Sequence, residues 1–206
     1  ALLVAFGAGM LTGLVTALIH VFFKIEGLLA SIIVITGAYT ITLRIMGGRS
    51  NIPLMGERTL LEPYQDPMRD WVVNTFGAQM RRMSNNVVEI LVFGVVVIVS
   101  IALLNWFMHT ELGLTIRAAG HNSQMVRATG INPTWMIIIA LMVSNGLAGI
   151  AGALTVQLLG FADVALGIGV IIRGLAAVMI GEVLLRPGSV GERIVASAVG
   201  MIIFEV

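Results

Sequence analysis

Long apolar runs separated by short polar segments make up most of this 206-residue chain. Residues 1–23 contain one ionisable side chain, His20, and residues 27–47 contain one charged side chain, Arg44. Each run is long enough for a helix that crosses the roughly 30 Å hydrocarbon core of a bilayer. Because only residues 24–26 separate them, we expect two antiparallel neighbouring helices.

Four further runs extend this pattern. Residues 87–107 and 135–157 predict two more spans, and residues 160–169 predict a glycine-rich loop. Residues 170–185 are apolar but short and contain Arg173, which predicts a broken or partial span, and a last helix begins at Val190. The sequence has no strand-like alternation of apolar and polar residues, so it does not predict a membrane β-barrel. The fold class predicted is all-α, a polytopic transmembrane helical bundle with five or six membrane segments in a single domain, 1–206.

The longest polar stretch, 48–86, is predicted to be a loop that contains one helix. Its first part, 51–67, has three of the five prolines and predicts irregular structure. From Met68 to Met83, apolar residues recur at helical spacing and basic residues lie between them. That pattern predicts an amphipathic helix, either in the membrane interface or packed on the bundle as a loop helix.

Composition strengthens the membrane interpretation and excludes other classes. The chain is 58% apolar and 11% charged, whereas soluble domains are about 25% charged, so a lipid bilayer is the expected surround. The chain has no run of basic residues of the kind that binds nucleic acid, so a nucleic-acid partner is excluded. The chain has no cysteine, no Walker A loop, no HExxH and no GxSxG, and its three histidines share no ligand spacing. We therefore predict no catalytic residue, no metal site and no enzyme activity.

The two ends predict a fragment of a longer membrane protein. The chain opens inside an apolar run, without an initiator Met or a basic segment that would mark a signal peptide. The 13 residues after Arg193 reach only about 20 Å as a helix, short of a full span.

Small residues four apart recur within the spans: Gly9 with Gly13, Gly149 with Ala153, and Ala177 with Gly181. Lipid supplies no hydrophobic drive between helices, so such pairs favour close backbone approach and dispersion. They predict tightly packed helix pairs.

Polar side chains inside the spans are candidates for a solute pathway. Three of them, at spacings of four residues, form one stripe on the first helix, and the others lie on the second and fourth spans. The candidates are Thr12, Thr16, His20, Thr36, Thr40 and Asn145. They predict the lining of a pathway for a polar solute, or hydrogen bonds between helices that contribute about 0.6 kcal/mol each. Both interpretations remain open.

A polar island, HTELGLTIRAAGHNSQMVRATGINP, occupies residues 109–133 between two apolar spans, and we call it the knob. Its sequence predicts a short helix, a turn, and a second short helix capped by Asn122 or Ser123. The segment from Gly130 to Pro133 ends that helix and prepares the next span. We expect a rigid docking element on an aqueous face; a plain connecting loop is the alternative.

Residues of the knob resemble a segment of binding-protein-dependent ABC transporter permeases of the ribose and branched-chain amino acid type. The matching positions in the knob are Gly113, Arg117, Ala118, Gly120, Asn122, Ala128, Gly130 and Ile131. Residues 144–160 resemble the glycine-rich helix of that family. Residues 174–203 resemble its closing region, although Glu182 departs from its pattern. Residues 31–54 resemble the branch whose binding proteins are similar to aromatic amino acid receptors.

The resemblance implies that the chain is a fragment of the permease subunit of an ATP-driven importer. That subunit would form the path for a small polar solute, which is expected to be an amino acid. ATP and Mg²⁺ would bind a separate ABC ATPase subunit, so no cofactor is expected in this chain. The other implied partners are an extracytoplasmic solute-binding protein and a second permease copy. The implied location is the plasma membrane, the inner membrane of a bacterium.

The resemblance also assigns the loops. It makes the knob, 109–133, a cytoplasmic coupling loop, and makes 48–86 extracytoplasmic. The coupling residues that it implies are Arg117, Ala118, Gly120, Asn122, Arg127, Ala128, Gly130 and Ile131. Only five of the twelve basic residues would then lie inside, so the positive-inside rule does not support this orientation, which rests on the resemblance. A stand-alone secondary transporter or channel and a sugar or nucleoside ABC permease remain alternatives.

Overall fold

The computed structural model describes residues 2–54 and 81–205, with backbone only at 81–89, 92, 168 and 171. Within these ranges the chain forms eight helices and two short strands. Helices satisfy every backbone hydrogen bond internally, which a lipid environment requires. In chain order the elements are α1 Leu2–Phe23, α2 Gly27–Ile45, β1 Asn51–Pro53, α3 Arg81–His109, α4 Glu111–His121, α5 Ser123–Ala128, α6 Pro133–Leu159, β2 Phe161–Asp163, α7 Leu166–Leu185 and α8 Val190–Glu205.

Three of these helices, α1, α2 and α6, are each long and apolar enough to cross a membrane. Two bent pairs pass the same test together: the end of α3 with α4, bent by 74°, and α7 with α8, bent by 119°. Counting each pair as one broken or re-entrant span, the described residues have up to five segments. The prediction of a polytopic helical bundle is confirmed, with three to five candidate spans in the described residues where five or six were predicted for the whole chain.

Helices α1 and α6 form an antiparallel pair, which we call the seam. Gly9 lies against the backbone of Asn145, and Gly149 lies against the backbone of Ala5. A Cβ atom added to Gly13 would lie 2.9 Å from Cβ of Asn145. Glycine therefore lets the two backbones touch, as the spacing of small residues predicted.

Helices α7 and α8 pack in the same way. A Cβ atom on Gly181 would meet the backbone of Ala196, and one on Gly200 would meet the backbone of Ala177. Both alanines are buried. At the turn between the helices, Arg186 adopts a left-handed backbone with φ of 42°. The two helices thus form a V-shaped hairpin held by small residues.

Strands β1 and β2 form a two-stranded antiparallel sheet that we call the ribbon. Asn51 pairs with Asp163 and Pro53 with Phe161. The pairing continues beyond the strands, where the backbone N–H of Leu54 donates to the Gly160 carbonyl at 2.8 Å. The all-helical prediction missed the ribbon, because strands of three residues are too short to show alternation.

Two predicted boundaries also differ. The amphipathic helix expected near 68–83 lies almost entirely outside the described residues, and α3 has begun by Arg81, within the stretch 48–86 predicted as loop. Helix α7 begins at Leu166, four residues earlier than the segment predicted from position 170. Gly167 and Gly169 indicated a loop, but an apolar setting favours the helical backbone even at glycine.

The knob and the ribbon lie at opposite ends of α6. The helix begins in the knob at Pro133, ends beside the ribbon at Leu159, and has 27 residues, so these ends are about 40 Å apart. Helix α2 ends near the ribbon as well. The turn between α7 and α8 lies beside α4, on the knob side. The structure therefore has two polar faces separated by about the thickness of a membrane.

Candidate functional site

Three side chains of the knob cap helices. Thr110 Oγ1 accepts a hydrogen bond from the Gly113 N–H at 3.3 Å at the start of α4. Asn122 Oδ1 accepts from the N–H groups of Gln124 at 3.1 Å and Met125 at 3.0 Å at the start of α5. Asn132 Oδ1 accepts from the Thr134 N–H at 3.0 Å at the start of α6. The predicted helix, turn and second helix are confirmed, and Asn122 rather than Ser123 is the cap.

The knob is fixed to the bundle at several points. Val126 is 4% exposed, and Pro133 is buried at the first turn of α6. Gly113 lies against the backbone of Phe107 and Met108, with no room for a Cβ atom. Gly130 has a φ of 85°, which L side chains rarely adopt, so glycine is required there. These features anchor the knob to the bundle and restrict its backbone.

The surface of the knob gathers all eight predicted coupling residues. The exposed positions there include Arg117, Ala118, Gly120, Asn122, Arg127, Ala128, Gly130 and Ile131. Apolar side chains are exposed beside them, among them Leu112, Leu114 and Met125. Arginine beside exposed apolar groups is a composition enriched in protein interfaces. This surface can dock a protein partner, and no contact in the structure tests the roles of its residues.

The turn between α7 and α8 joins this surface. A cavity of about 340 Å³ is lined by Arg117, Gly120 and His121 of α4 and by residues 188–190 and Arg193. Within the described part of the chain, neither of these arginines has an ion-pair partner. The cavity therefore offers two guanidinium groups to an acidic or carbonyl partner.

Sequence reasoning did not assign this turn to the knob surface. Ser189 and Glu192 form a capping box there: the Glu192 N–H donates to Ser189 Oγ at 3.3 Å, and Glu192 Oε2 accepts from the Ser189 N–H at 3.2 Å. The same carboxylate accepts from the Gly188 N–H at 2.7 Å. The S-x-x-E spacing was a signal that marks this helix start.

The predicted pathway residues fall in three separate places. On α1, the Thr16 hydroxyl donates to the Thr12 carbonyl at 2.9 Å, and the Thr12 hydroxyl donates to the Gly9 carbonyl at 2.8 Å. Thr16 is 3% exposed. His20 Nδ1 lies 2.6 Å from the carbonyl oxygen of Ile25, at the turn into α2. The polar side chains of this stripe therefore contact backbone carbonyls three to five residues away along the chain, and Thr16 is buried.

Asn145 belongs to the seam. Its Nδ2 donates to the Leu141 carbonyl at 2.9 Å, one turn earlier on α6, and its Cβ faces Gly13. The structure thus places Asn145 in the contact between α6 and Gly9 and Gly13 of α1. A lining role for any of these residues stays a prediction.

A cleft with a volume of about 570 Å³ lies between α2 and the ribbon; we call it the ribbon cleft. Thr36 and Thr40 line it, so two of the six predicted pathway residues share an open space. Hydroxyl, apolar and acidic residues make up its wall: Ile35, Thr36, Ala38, Tyr39, Thr40, Thr42, Asp163, Val164 and Gly167.

Asp163 is the residue of this cleft that sequence reasoning missed, because it falls in the segment 160–169 predicted to be a loop. Its Oδ1 accepts a hydrogen bond from the Ala165 N–H at 2.7 Å. The ribbon holds its backbone opposite Asn51. In the parts of the chain that the structure describes, no group of three His, Cys, Asp or Glu residues is arranged to hold a metal ion.

Comparison with known proteins gives a family and several relatives. The family described as "Branched-chain amino acid transport system / permease component" matches residues 1–206. The chain is similar to the tyrosine transport system permease protein of Clostridioides difficile, 37% identical over 205 residues, which are 100% of this chain and 62% of that protein.

Two further relatives are similar over shorter stretches. An uncharacterized protein of Rickettsia prowazekii is 31% identical over 88% of this chain and 58% of its own length. The ribose import permease protein RbsC of Escherichia coli is 36% identical over 48% of this chain and 30% of its own length. The chain therefore spans less than two thirds of each of these relatives. No solved structure matches it significantly.

Proposed function

Because the chain belongs to the family of permease components of branched-chain amino acid transport systems, we propose that it is part of the membrane subunit of an ABC importer. In this proposal its helices form the path of a small polar solute, an amino acid, across the inner membrane of a bacterium. Its multi-pass helical structure supports that role.

The knob is the single observation that carries the importer proposal. The positions that match the family's coupling segment lie on or directly beside two capped helices anchored to the bundle, and most of them are open to a partner. A rigid element can convert movement of a bound partner into movement of the spans, which a flexible loop cannot do. The partner proposed is a separate ATPase subunit that binds ATP and Mg²⁺ and meets Arg117, Arg127 and the turn between α7 and α8.

This assignment fixes an orientation for the proposal. With the knob in the cytoplasm, the ribbon and its cleft face outward, where a solute-binding protein would deliver the solute. A second permease copy would complete the path, since the described helices expose large apolar surfaces that lipid or a second subunit must cover.

An amino acid is the favoured solute. The relative that matches the whole chain is named as a tyrosine transport permease, whereas the ribose permease matches 48% of the chain. A sugar or nucleoside remains the alternative solute, and a stand-alone secondary transporter or channel remains the alternative mechanism.

The test is purification of the full-length tagged permease from its own organism in mild detergent. We expect an ABC ATPase and a second permease copy to copurify with it, and uptake of amino acid by reconstituted vesicles to require ATP. Uptake that continues without ATP, driven by an ion gradient, would replace this proposal with the secondary transporter.

A further inference from the structure

One residue sets the charge of the ribbon cleft. Of the nine residues that line it, Asp163 is the one acid, and none is basic. The other lining groups are aliphatic, aromatic or hydroxyl. A cleft whose described lining contains one carboxylate and no basic side chain concentrates cations and repels anions.

The position of this carboxylate is fixed by the ribbon. Asp163 is the last residue of β2, and the next residue, Val164, donates its N–H to the Ser50 carbonyl at 3.1 Å. Its Oδ1 accepts from the Ala165 N–H, which holds the side chain in a defined rotamer. No cationic side chain pairs with it in residues 2–54 and 81–205. Among the described residues, the second carboxylate oxygen therefore remains available to a ligand.

The facing wall on α2 supplies hydrogen-bond acceptors. The Thr36 hydroxyl donates to the Ile32 carbonyl at 2.9 Å, and the Thr40 hydroxyl donates to the Thr36 carbonyl at 3.3 Å. Since these hydrogens point to the helix backbone, the oxygens retain lone pairs that can accept from a ligand. Tyr39, 41% exposed, adds an aromatic ring of the kind that attracts a cation over its face.

One ligand group, the alkylammonium, matches all three features of the cleft. These features are the hydroxyl acceptors on one wall, the carboxylate on the other, and the aromatic ring. An alkylammonium has three N–H donors, carries a positive charge and offers no acceptor. The cleft volume also lies within the roughly 300–1,000 Å³ of small-molecule sites.

We propose that the ribbon cleft is a binding site for the amino group of a small solute, with Asp163 as its counter-ion. This inference deepens the proposed function by assigning the chemistry of its solute to a site, and it rests on that function for the idea that the solute is transported. The charge preference of the cleft does not depend on transport, so the two can be tested apart.

The first experiment measures that preference with thiol reagents. These 206 residues contain no cysteine, so Thr40→Cys in the full-length permease, cleared of any cysteine elsewhere, places one reporter in the cleft. In detergent both faces are open to reagent, and the result does not depend on orientation. The measured quantity is the ratio of labelling rates with a cationic and an anionic methanethiosulfonate, each normalised to a neutral one.

The informative variant is Asp163→Asn, which keeps Oδ1 as an acceptor for the Ala165 N–H and removes the charge. We expect it to lower the ratio of cationic to anionic labelling rates about fivefold. This is the effect expected when a unit charge is removed within one screening length, about 8 Å, of the reporter thiol. Glu182→Gln is the matched control, since it removes an exposed acid near the opposite face, and it should leave the ratio unchanged. An unlabelled reporter, or an equal ratio with and without the Asp163 charge, overturns the proposal.

The second experiment asks what protects the reporter. L-Tyrosine and tyramine, which carry the amino group, should slow labelling by the neutral reagent, and 3-(4-hydroxyphenyl)propionate, which lacks it, should not. Asp163→Asn should abolish the protection. Equal protection by all three, or by none at millimolar concentration, contradicts an amino-group site. Loss of ATP-driven uptake alone would instead contradict the proposed function and leave both labelling results standing.

Discussion

The knob and the ribbon lie at opposite ends of α6 and are held together by different interactions. In the knob, Thr110, Asn122 and Asn132 each cap a helix by accepting from an N–H two or three residues ahead. In the ribbon, the pairing of Asn51 with Asp163 joins segments more than a hundred residues apart. The knob is thus determined locally, whereas the ribbon exists only once the bundle has assembled.

This difference assigns complementary mechanical properties to the two faces. The knob has capped helices and a buried anchor, Val126, so it can move as one piece. The ribbon end borders α2, whose one buried side chain is Ala30, and it leaves a cleft. Between them the seam of α1 and α6 forms a close-packed connection. An anchored face, a close-packed connection and an open face are what the proposed transmission of movement from the knob to the cleft requires.

The largest effect is expected from breaking the connection at Gly13. Gly13→Leu inserts a side chain where even an added Cβ atom would lie 2.9 Å from Cβ of Asn145. Overpacking of this kind costs about 1–3 kcal/mol and occasionally more. We expect a large drop in the yield and the thermal unfolding temperature of the detergent-purified permease.

The matched control lies on the same helix. Gly7 has no atom within 4 Å of an added Cβ, so Gly7→Leu should leave the unfolding temperature nearly unchanged. Equal stability of the two variants would show that the seam does not hold the faces together.

The next largest effect is expected from covering the surface of the knob while leaving its fold intact. Gly120 lies on α4, and nothing lies within 4 Å of an added Cβ, so a bulky side chain there projects from the surface. We expect Gly120→Trp to reduce ATP-dependent uptake at least about tenfold, a loss of about 1.4 kcal/mol of coupling. Binding of the solute-binding protein at the ribbon face should persist.

Gly120→Ala is the control for this experiment, because it keeps a small side chain and favours the helix. Its uptake should equal that of the unmodified permease. Normal uptake by Gly120→Trp would remove this part of the knob from the proposed ATPase interface.

The same contrast explains which parts of the fold sequence reasoning predicted. Apolar runs and small residues predicted α1, α2, α6 and their packing, because lipid imposes helices and glycine permits contact. Asn122 was predicted as a cap because capping depends on residues three apart. The ribbon was missed because its pairing is long-range and its strands show no period.

The candidate site was predicted in the same uneven way. Thr36 and Thr40 were singled out as polar residues in a span, and they line the ribbon cleft. Thr16 was singled out on the same grounds, yet it is packed away, because helical spacing shows which residues share a face and not what that face meets. Asp163 was missed because its place in the cleft depends on the ribbon.

A third, smaller effect concerns the rigidity of the knob itself. Asn122→Ala removes the acceptor of two backbone N–H groups at the start of α5 and should cost about 1 kcal/mol. Hydrogen exchange should rise within 122–128 and stay unchanged at 161–164. Asn122→Asp, which keeps the acceptor, is the control. A rise at both faces would mean that the knob and the ribbon do not differ as described.

The smallest effect is expected at Arg186, where the turn between α7 and α8 meets the knob surface. An L-residue in the left-handed region costs about 1 kcal/mol relative to glycine, so Arg186→Gly should stabilise the hairpin by about 0.5–1 kcal/mol. Arg186→Ala removes the same charge and keeps the backbone cost, which makes it the matched comparison. Thermal unfolding should place Arg186→Gly above Arg186→Ala by roughly one to a few degrees. Identical unfolding temperatures would show that the left-handed backbone at Arg186 carries no strain. The contrast between the knob face and the ribbon face would then depend only on the helix caps and the buried anchor of the knob.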